Sequence, residues 1–178
     1  MIIEERVERS QYVKLITWIV SFIILMAGIV FPVLILWVNQ DMMSKVIGAS
    51  VLCLIFFTLI FTVAYQPRKL ILSETHIIME RILGQVYISY SDITDISLYH
   101  RENVAEIRIF GIGGLGGYIG KFYNSKIGFY TAYVGDYSQA FLIKINNREK
   151  YVMSCRHAEK IVEEVTVSYT HLTLPTTE

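Results

Sequence analysis

Three glycines at the spacing of a dinucleotide-binding fingerprint are the first pattern in this sequence that could do chemistry. Gly111, Gly113 and Gly116 follow an apolar run, and Asp136 comes twenty residues after Gly116. In a dinucleotide site the third glycine opens a helix whose N-terminus holds the pyrophosphate. Residues 117–120 are poor helix formers and carry no apolar helical period. We therefore interpret the glycines as bends between two strands, and not as a nucleotide site.

A cysteine two positions before a histidine is the second candidate. Cys155 and His157 could form a thiol nucleophile beside its base, or half of a metal site. The sequence contains no second Cys-His cluster, and the other cysteine, Cys53, lies in an apolar run. It also contains no G-x-S-x-G, H-E-x-x-H or Walker A motif. We expect no catalysis, no cofactor and no metal, and keep a thiol-dependent enzyme using Cys155 as an alternative.

An aromatic segment interleaved with lysines is the third candidate. Nucleic-acid binding depends on phosphate contacts, and this segment offers only two lysines in a chain with 16 basic and 16 acidic residues. We therefore predict no nucleic-acid partner. We predict instead a projecting loop that touches a protein partner or lipid headgroups. Its residues are Tyr118, Lys121, Phe122, Tyr123, Lys126 and Phe129.

Two uncharged stretches near the start must position these groups relative to a membrane. Residues 15–38 would rise about 36 Å as a helix, enough to cross a hydrocarbon core of about 30 Å. Residues 46–65 have the length of a second crossing, and the short external turn at 39–45 makes the two helices antiparallel. The first stretch is too long for a signal peptide. A soluble helical hairpin is disfavoured, because the rest of the chain could hardly cover two helices that are apolar on every side.

Basic residues set the predicted orientation. Arg6, Arg9 and Lys14 precede the first helix, Arg68 follows the second, and the turn carries Lys45 beside an aspartate. Because basic residues are retained in the cytoplasm, we expect both termini and residues 1–14 to lie inside, in the cell (inner) membrane of a multi-pass protein. Neither span contains an ionisable residue other than Cys53 and the terminal Tyr65, which disfavours a proton relay or a transporter.

Beyond residue 66 the pattern changes to short β-like runs separated by turn residues. We predict strands at 69–73, 76–81, 86–90, around 96–98, and at 107–110, 129–134, 140–145 and 151–154. Phe141 and Ile143 alternate with Leu142 as a buried and an outer face would. Ser154 is predicted to cap a helix whose apolar face carries Ala158, Ile161, Val162 and Val165. We assign residues 66–165 to this β domain and 166–178 to a non-native tail.

The order of many strands and one closing helix resembles the bacterial pleckstrin-homology-like (PH-like) family, in particular members anchored by a two-helix transmembrane hairpin. The resemblance implies a partly open barrel of antiparallel strands with a C-terminal capping helix, and it supplies no catalytic residues. It rests on residues 69–72, 75, 77–80, 88–93, 107–122 and 151–154, followed by a helix with Glu159 in its first turns.

Two binding functions follow from this reading besides the thiol enzyme. The preferred one is a scaffold or regulatory module at the cytoplasmic membrane that binds a protein partner. The alternative is a lipid-headgroup-binding module. From Arg68 to Val165 twelve basic residues face eleven acidic ones, so the β domain by itself indicates no strong site for anionic lipid.

Overall fold

The computed structural model describes residues 3–38, 41–101, 106–146 and 149–173. Its first part is a helical hairpin. Helix α1 (Gln11–Leu25) continues through a π-helical turn (Met26–Val30) into α2 (Phe31–Val38), and α3 spans Met42–Ala64. Residues 39 and 40 of the predicted turn lie outside the described residues.

Side-chain caps fix where the two apolar helices begin. The Ser10 hydroxyl accepts a hydrogen bond from the Val13 N–H (3.2 Å), and the Asp41 carboxylate accepts one from the Ser44 N–H (2.9 Å). Each helix therefore starts four residues before the apolar run from which it was predicted. The π-helical turn ends two positions before Pro32, whose missing N–H and bulky ring disturb the regular hydrogen-bond ladder of the helix.

The two helices present their side chains outward while touching each other. A Cβ placed on buried Gly28 would come within 2.6 Å of the Ile55 side chain, so the backbone of the first helix lies against the second. In the most apolar window of each helix only 12% and 11% of the residues are buried. The core helix of a soluble domain would be mostly buried. By length and composition, both helices can cross a membrane.

The first of two sheets holds four antiparallel strands in the order β1-β2-β3-β4. Strand β1 was not predicted, because its four residues are mostly charged, but it pairs along β2 from Ile3 opposite Leu72 to Arg6 opposite Lys69. Since β1 leads into α1 and β2 follows α3, both ends of the hairpin leave from adjacent strands. The strands are β1 (Ile3–Arg6), β2 (Pro67–Leu72), β3 (His76–Arg81) and β4 (Gln85–Ser89).

The second sheet holds six strands in the order β5-β9-β10-β8-β7-β6, antiparallel except for the parallel pair β8 and β10. Residues 118–124, predicted as part of a projecting loop, form strand β7. Gly111 and Gly120 face each other across β6 and β7, where a Cβ on either would clash with backbone, so the glycines permit the pairing. The strands are β5 (Ile93–Leu98), β6 (Glu106–Gly113), β7 (Tyr118–Asn124), β8 (Gly128–Val134), β9 (Ala140–Ile145) and β10 (Lys150–Ser154).

Helix α4 (Ala158–Thr173) closes the main core between the sheets. Ala158, Ile161 and Val165 are buried there, as the spacing of apolar residues predicted. Leu142, predicted on an outer face, is instead buried in a second apolar cluster on the opposite face of the six-stranded sheet. The fold is thus a helical hairpin followed by a mainly β domain with a C-terminal helix, as predicted, and the two sheets do not close into one barrel.

The predicted helix cap at Ser154 is wrong. The buried Ser154 hydroxyl accepts hydrogen bonds from the backbone N–H groups of Gly135 (2.8 Å) and Asp136 (3.4 Å). The Ser154 hydroxyl is therefore bonded to the turn after β8 and does not cap α4. The cause is the parallel pairing of β8 with β10, which sets the end of β10 beside that turn.

Hydrogen bonds join the helices to the β domain. The Thr17 hydroxyl accepts from the Gly116 N–H (2.8 Å) and donates to the Val13 carbonyl (2.6 Å), so the glycine-rich turn between β6 and β7 rests on α1. On the other helix, the Leu83 N–H donates to the Ala64 carbonyl (2.8 Å). The domain is held against the helix ends through both members of the hairpin.

Candidate functional site

The structure divides the six predicted interaction residues between two faces of the sheet. Tyr118 and Phe122 point to the second apolar cluster, where Phe122 is 3% exposed and stacks on Tyr130 (5.8 Å between centroids). Tyr118 meets Tyr137 edge-on at 4.8 Å. These two aromatic side chains are therefore engaged within the domain.

The other four predicted residues lie at the surface. Lys121 and Phe129 line a cleft on the opposite face together with Ile109, and the Tyr123 ring packs edge-on against Phe129 at 5.0 Å. Lys126 is exposed in the turn between β7 and β8. The structure thus brings Lys121, Tyr123 and Phe129 onto one surface, and their role in binding a partner stays a prediction.

An ion pair between buried Glu106 and exposed Arg101 packs against the second apolar cluster. The Arg101 guanidinium stacks over the rings of Tyr118 (5.2 Å) and Tyr137 (4.7 Å), and its Nε lies 2.7 Å from a Glu106 oxygen. The Tyr137 hydroxyl donates to the same carboxylate at 2.9 Å. Burial, followed by the negative charge of Glu106, raises the pKa of Tyr137. Because Arg101 and Glu106 pair with each other, this ion pair ties the start of the connection after β5 to the sheet.

Strand β6 presents an exposed apolar edge. It is eight residues long, pairs with β7 alone among the described strands, and forms one margin of the six-stranded sheet. Phe110 is 74% exposed, and Ile107 and Ile109 are 55% and 54% exposed. The unpaired backbone groups of an edge strand can pair with another strand, although β6 carries the exposed charge of Arg108 and a bulge between Arg108 and Phe110, which both limit such pairing. This edge is therefore a candidate for protein docking.

A basic pocket lies where the helices meet the first sheet. Four cationic side chains and one carboxylate, that of Glu80, surround a cavity of about 510 Å³. Within the described residues, two of the cations have no ion-pair partner, one is bonded to Gln66, and one is paired with Glu4. The pocket is lined by Arg6, Val7, Arg9, Pro67, Arg68, Lys69 and Glu80.

Sequence reasoning missed this pocket because its two halves are far apart in the chain. Arg6 and Lys69 become neighbours only through the pairing of β1 with β2. The sequence showed these cations solely as flanks of the two apolar helices. The one available signal was the repeated basic flank itself, since Arg9 precedes the first helix by two positions and Arg68 follows the second by four.

Cys155 is poorly suited to act as a nucleophile. Its side chain is 1% exposed, and burial, reinforced by the Glu5 carboxylate, raises the pKa of the thiol to about 12 despite an opposing hydrogen bond from the His157 backbone. The His157 ring Nδ1 lies 3.1 Å from both oxygens of the Glu5 carboxylate. Among the described residues no group of three or more His, Cys, Asp or Glu side chains could hold a metal ion.

Comparison with known proteins agrees with this architecture. The family profile described as "Bacterial PH domain" matches residues 68–168, more than half of the chain. The match begins in β2 and ends in α4, and so includes both sheets apart from β1. The chain therefore belongs to the bacterial PH domain family, which confirms the predicted resemblance. No curated protein and no solved structure matches the chain.

Proposed function

We propose that this protein is a membrane-anchored PH-domain module that docks a protein partner along strand β6. The observation that carries the proposal is the open edge of β6 with three large apolar side chains, Ile107, Ile109 and Phe110, each more than half exposed. An extended segment of a partner would pair its backbone with this edge and cover the apolar groups. Lipid chains can cover the apolar groups but cannot satisfy the backbone groups.

The partner segment is extended and apolar, with an acidic residue near the middle. Arg108 lies between the exposed isoleucines, is itself exposed, and has no ion pair within the described chain. A carboxylate on the added strand would pair with it across the edge, as opposite charges do between neighbouring strands. A segment with a lysine or arginine at that position is disfavoured.

The proposed anchoring places both termini and the β domain in the cytoplasm, with the two helices crossing the cell membrane. It is supported by the distribution of charge, since Arg9 and Arg68 flank the helix ends on the domain side while Lys45 stands beside the capping Asp41 at the other end. Met43→Cys should react with a membrane-impermeant maleimide in intact cells, and Lys160→Cys only after lysis, both in a Cys53→Ser background. The reverse labelling pattern would contradict the orientation.

Site-specific photo-cross-linking tests the docking edge. A photoreactive amino acid at position 109 should give a discrete protein adduct when native membranes are irradiated, and the same group at exposed Lys160 on α4 serves as the matched control. Ile107→Lys should reduce the adduct at 109 by placing a charge on the edge. Adducts with lipid alone at 109, or the same products at 109 and 160, would refute docking along β6.

A further inference from the structure

We propose that the basic pocket binds the phosphate of an anionic membrane lipid. The proposal does not depend on β6, because the pocket lies on the four-stranded sheet. Its lining comes from β1, β2, β3 and the residues just before α1. Two of its cations, Arg6 and Arg9, lie outside residues 68–168 and so outside the part of the chain that defines the family.

The charges in the pocket favour an anion. Four cations face the single carboxylate of Glu80, and within the described chain neither Arg6 nor Arg68 has an ion-pair partner. Guanidinium groups bind phosphate oxygens through paired, charge-assisted hydrogen bonds. The pocket therefore offers two unpaired forks of the kind that phosphate groups require.

The other two cations are held in place by neighbours. The Arg9 guanidinium donates to the Gln66 side-chain oxygen at 2.5 Å, and Gln66 is itself buried. The Lys69 ammonium lies 3.2 Å from a Glu4 oxygen, with both side chains about half exposed. Arg9 thus adds a positioned charge to the wall, while an entering phosphate competes with Glu4 for Lys69.

The position of the pocket selects a lipid over a soluble anion. Arg9 immediately precedes Ser10, which caps α1, and Pro67 comes three residues after the end of α3. With the proposed anchoring, on which this step rests, the cavity lies where both helices leave the hydrocarbon region, the depth at which lipid phosphates are found. A lipid there is supplied at high local concentration by the bilayer itself.

A bound lipid must be distinguished from the general attraction between basic residues and anionic membranes. That attraction raises the affinity for the membrane about fivefold for each basic residue. Lys14 is the matched control because it is exposed on α1, near the same helix ends, but does not line the pocket. If a lipid phosphate is bound, Arg6→Gln should weaken lipid retention about tenfold or more, whereas Lys14→Gln should weaken it no more than fivefold. Glu80→Gln should strengthen retention, a gain that misfolding cannot produce.

The experiment uses the full chain in nanodiscs of phosphatidylcholine with a minor fraction of phosphatidylglycerol. Native mass spectrometry after release counts the retained phosphatidylglycerol on the wild type and on the three variants. We expect one retained anionic lipid, its loss in Arg6→Gln and tighter retention in Glu80→Gln. Equal losses in Arg6→Gln and Lys14→Gln, equal retention of phosphatidylcholine, or displacement of the lipid by inorganic phosphate at low millimolar concentration would each overturn the proposal.

Discussion

The buried thiol of Cys155 gives the most direct quantitative test of the domain core. Its ordinary pKa of 9.0 is raised to about 12, and at pH 8 this lowers the thiolate fraction about a thousandfold. Only the thiolate attacks alkylating reagents. In a Cys53→Ser background, we therefore expect the native protein to react with iodoacetamide about a thousand times more slowly than the same chain unfolded in urea.

Samples quenched at successive times and analysed by intact mass spectrometry give the alkylation rates of the native and the unfolded chain. The ratio of these two rates tests the prediction. A native rate within tenfold of the unfolded rate would refute both the burial of Cys155 and the argument against a thiol-dependent enzyme. If labelling is slow but equals the rate of global unfolding measured by circular dichroism, the thiol reacts only from the unfolded state, and the argument stands.

The same pKa shift predicts how stability depends on pH. Because the folded pKa of Cys155 lies above the unfolded value, its contribution is fully present below pH 9 and is lost as the pH rises towards 12. The three-unit difference corresponds to at most about 4 kcal/mol. Urea unfolding of the full chain in detergent at pH 8 and pH 11 should show a smaller loss of stability for Cys155→Ala than for the wild type. Identical losses would contradict the assignment.

Three further predictions concern particular contacts. Ser154→Ala leaves the buried Gly135 N–H unpaired and should lower the free energy of unfolding in urea by about 1–3 kcal/mol. Hydrogen exchange of the Gly135 amide should become faster, and unchanged exchange, as expected for the loss of an ordinary helix cap, would contradict the contact. Thr17→Val removes the acceptor for the glycine-rich turn and should speed hydrogen exchange there at least tenfold, and unchanged exchange would contradict the contact. Gly111→Ala should disrupt β6, because its Cβ would lie 2.1 Å from a backbone oxygen. In Gly128→Ala the Cβ has room, with Lys150 Nζ at 3.9 Å, and the cost in thermal unfolding should be about 1–2 kcal/mol because φ there is +76°. Equal effects would refute the close approach.

The candidate surfaces were predictable from the sequence to different degrees. The aromatic segment at 118–129 was visible, but its division into buried Phe122 and exposed Phe129 follows from the strand pairing of β7 with β8, which the glycines concealed. The exposed edge at Ile109 could not be inferred, since an apolar strand in the middle of a sheet has the same sequence pattern. The basic pocket required a strand that local pattern did not predict.

Local sequence determined three features: the two apolar helices through the length of their uncharged runs, and most strands and the buried face of α4 through the spacing of their apolar residues. Each of these features depends on residues a few positions apart. The spacing of apolar residues over such short distances shows which face of a helix or strand is buried. Tertiary structure decided which strands are neighbours. Glu4 and Lys69 are 65 positions apart and meet only because β1 adds to β2. Charges become a site only when strand pairing brings them together, and that pairing is a property of the whole fold.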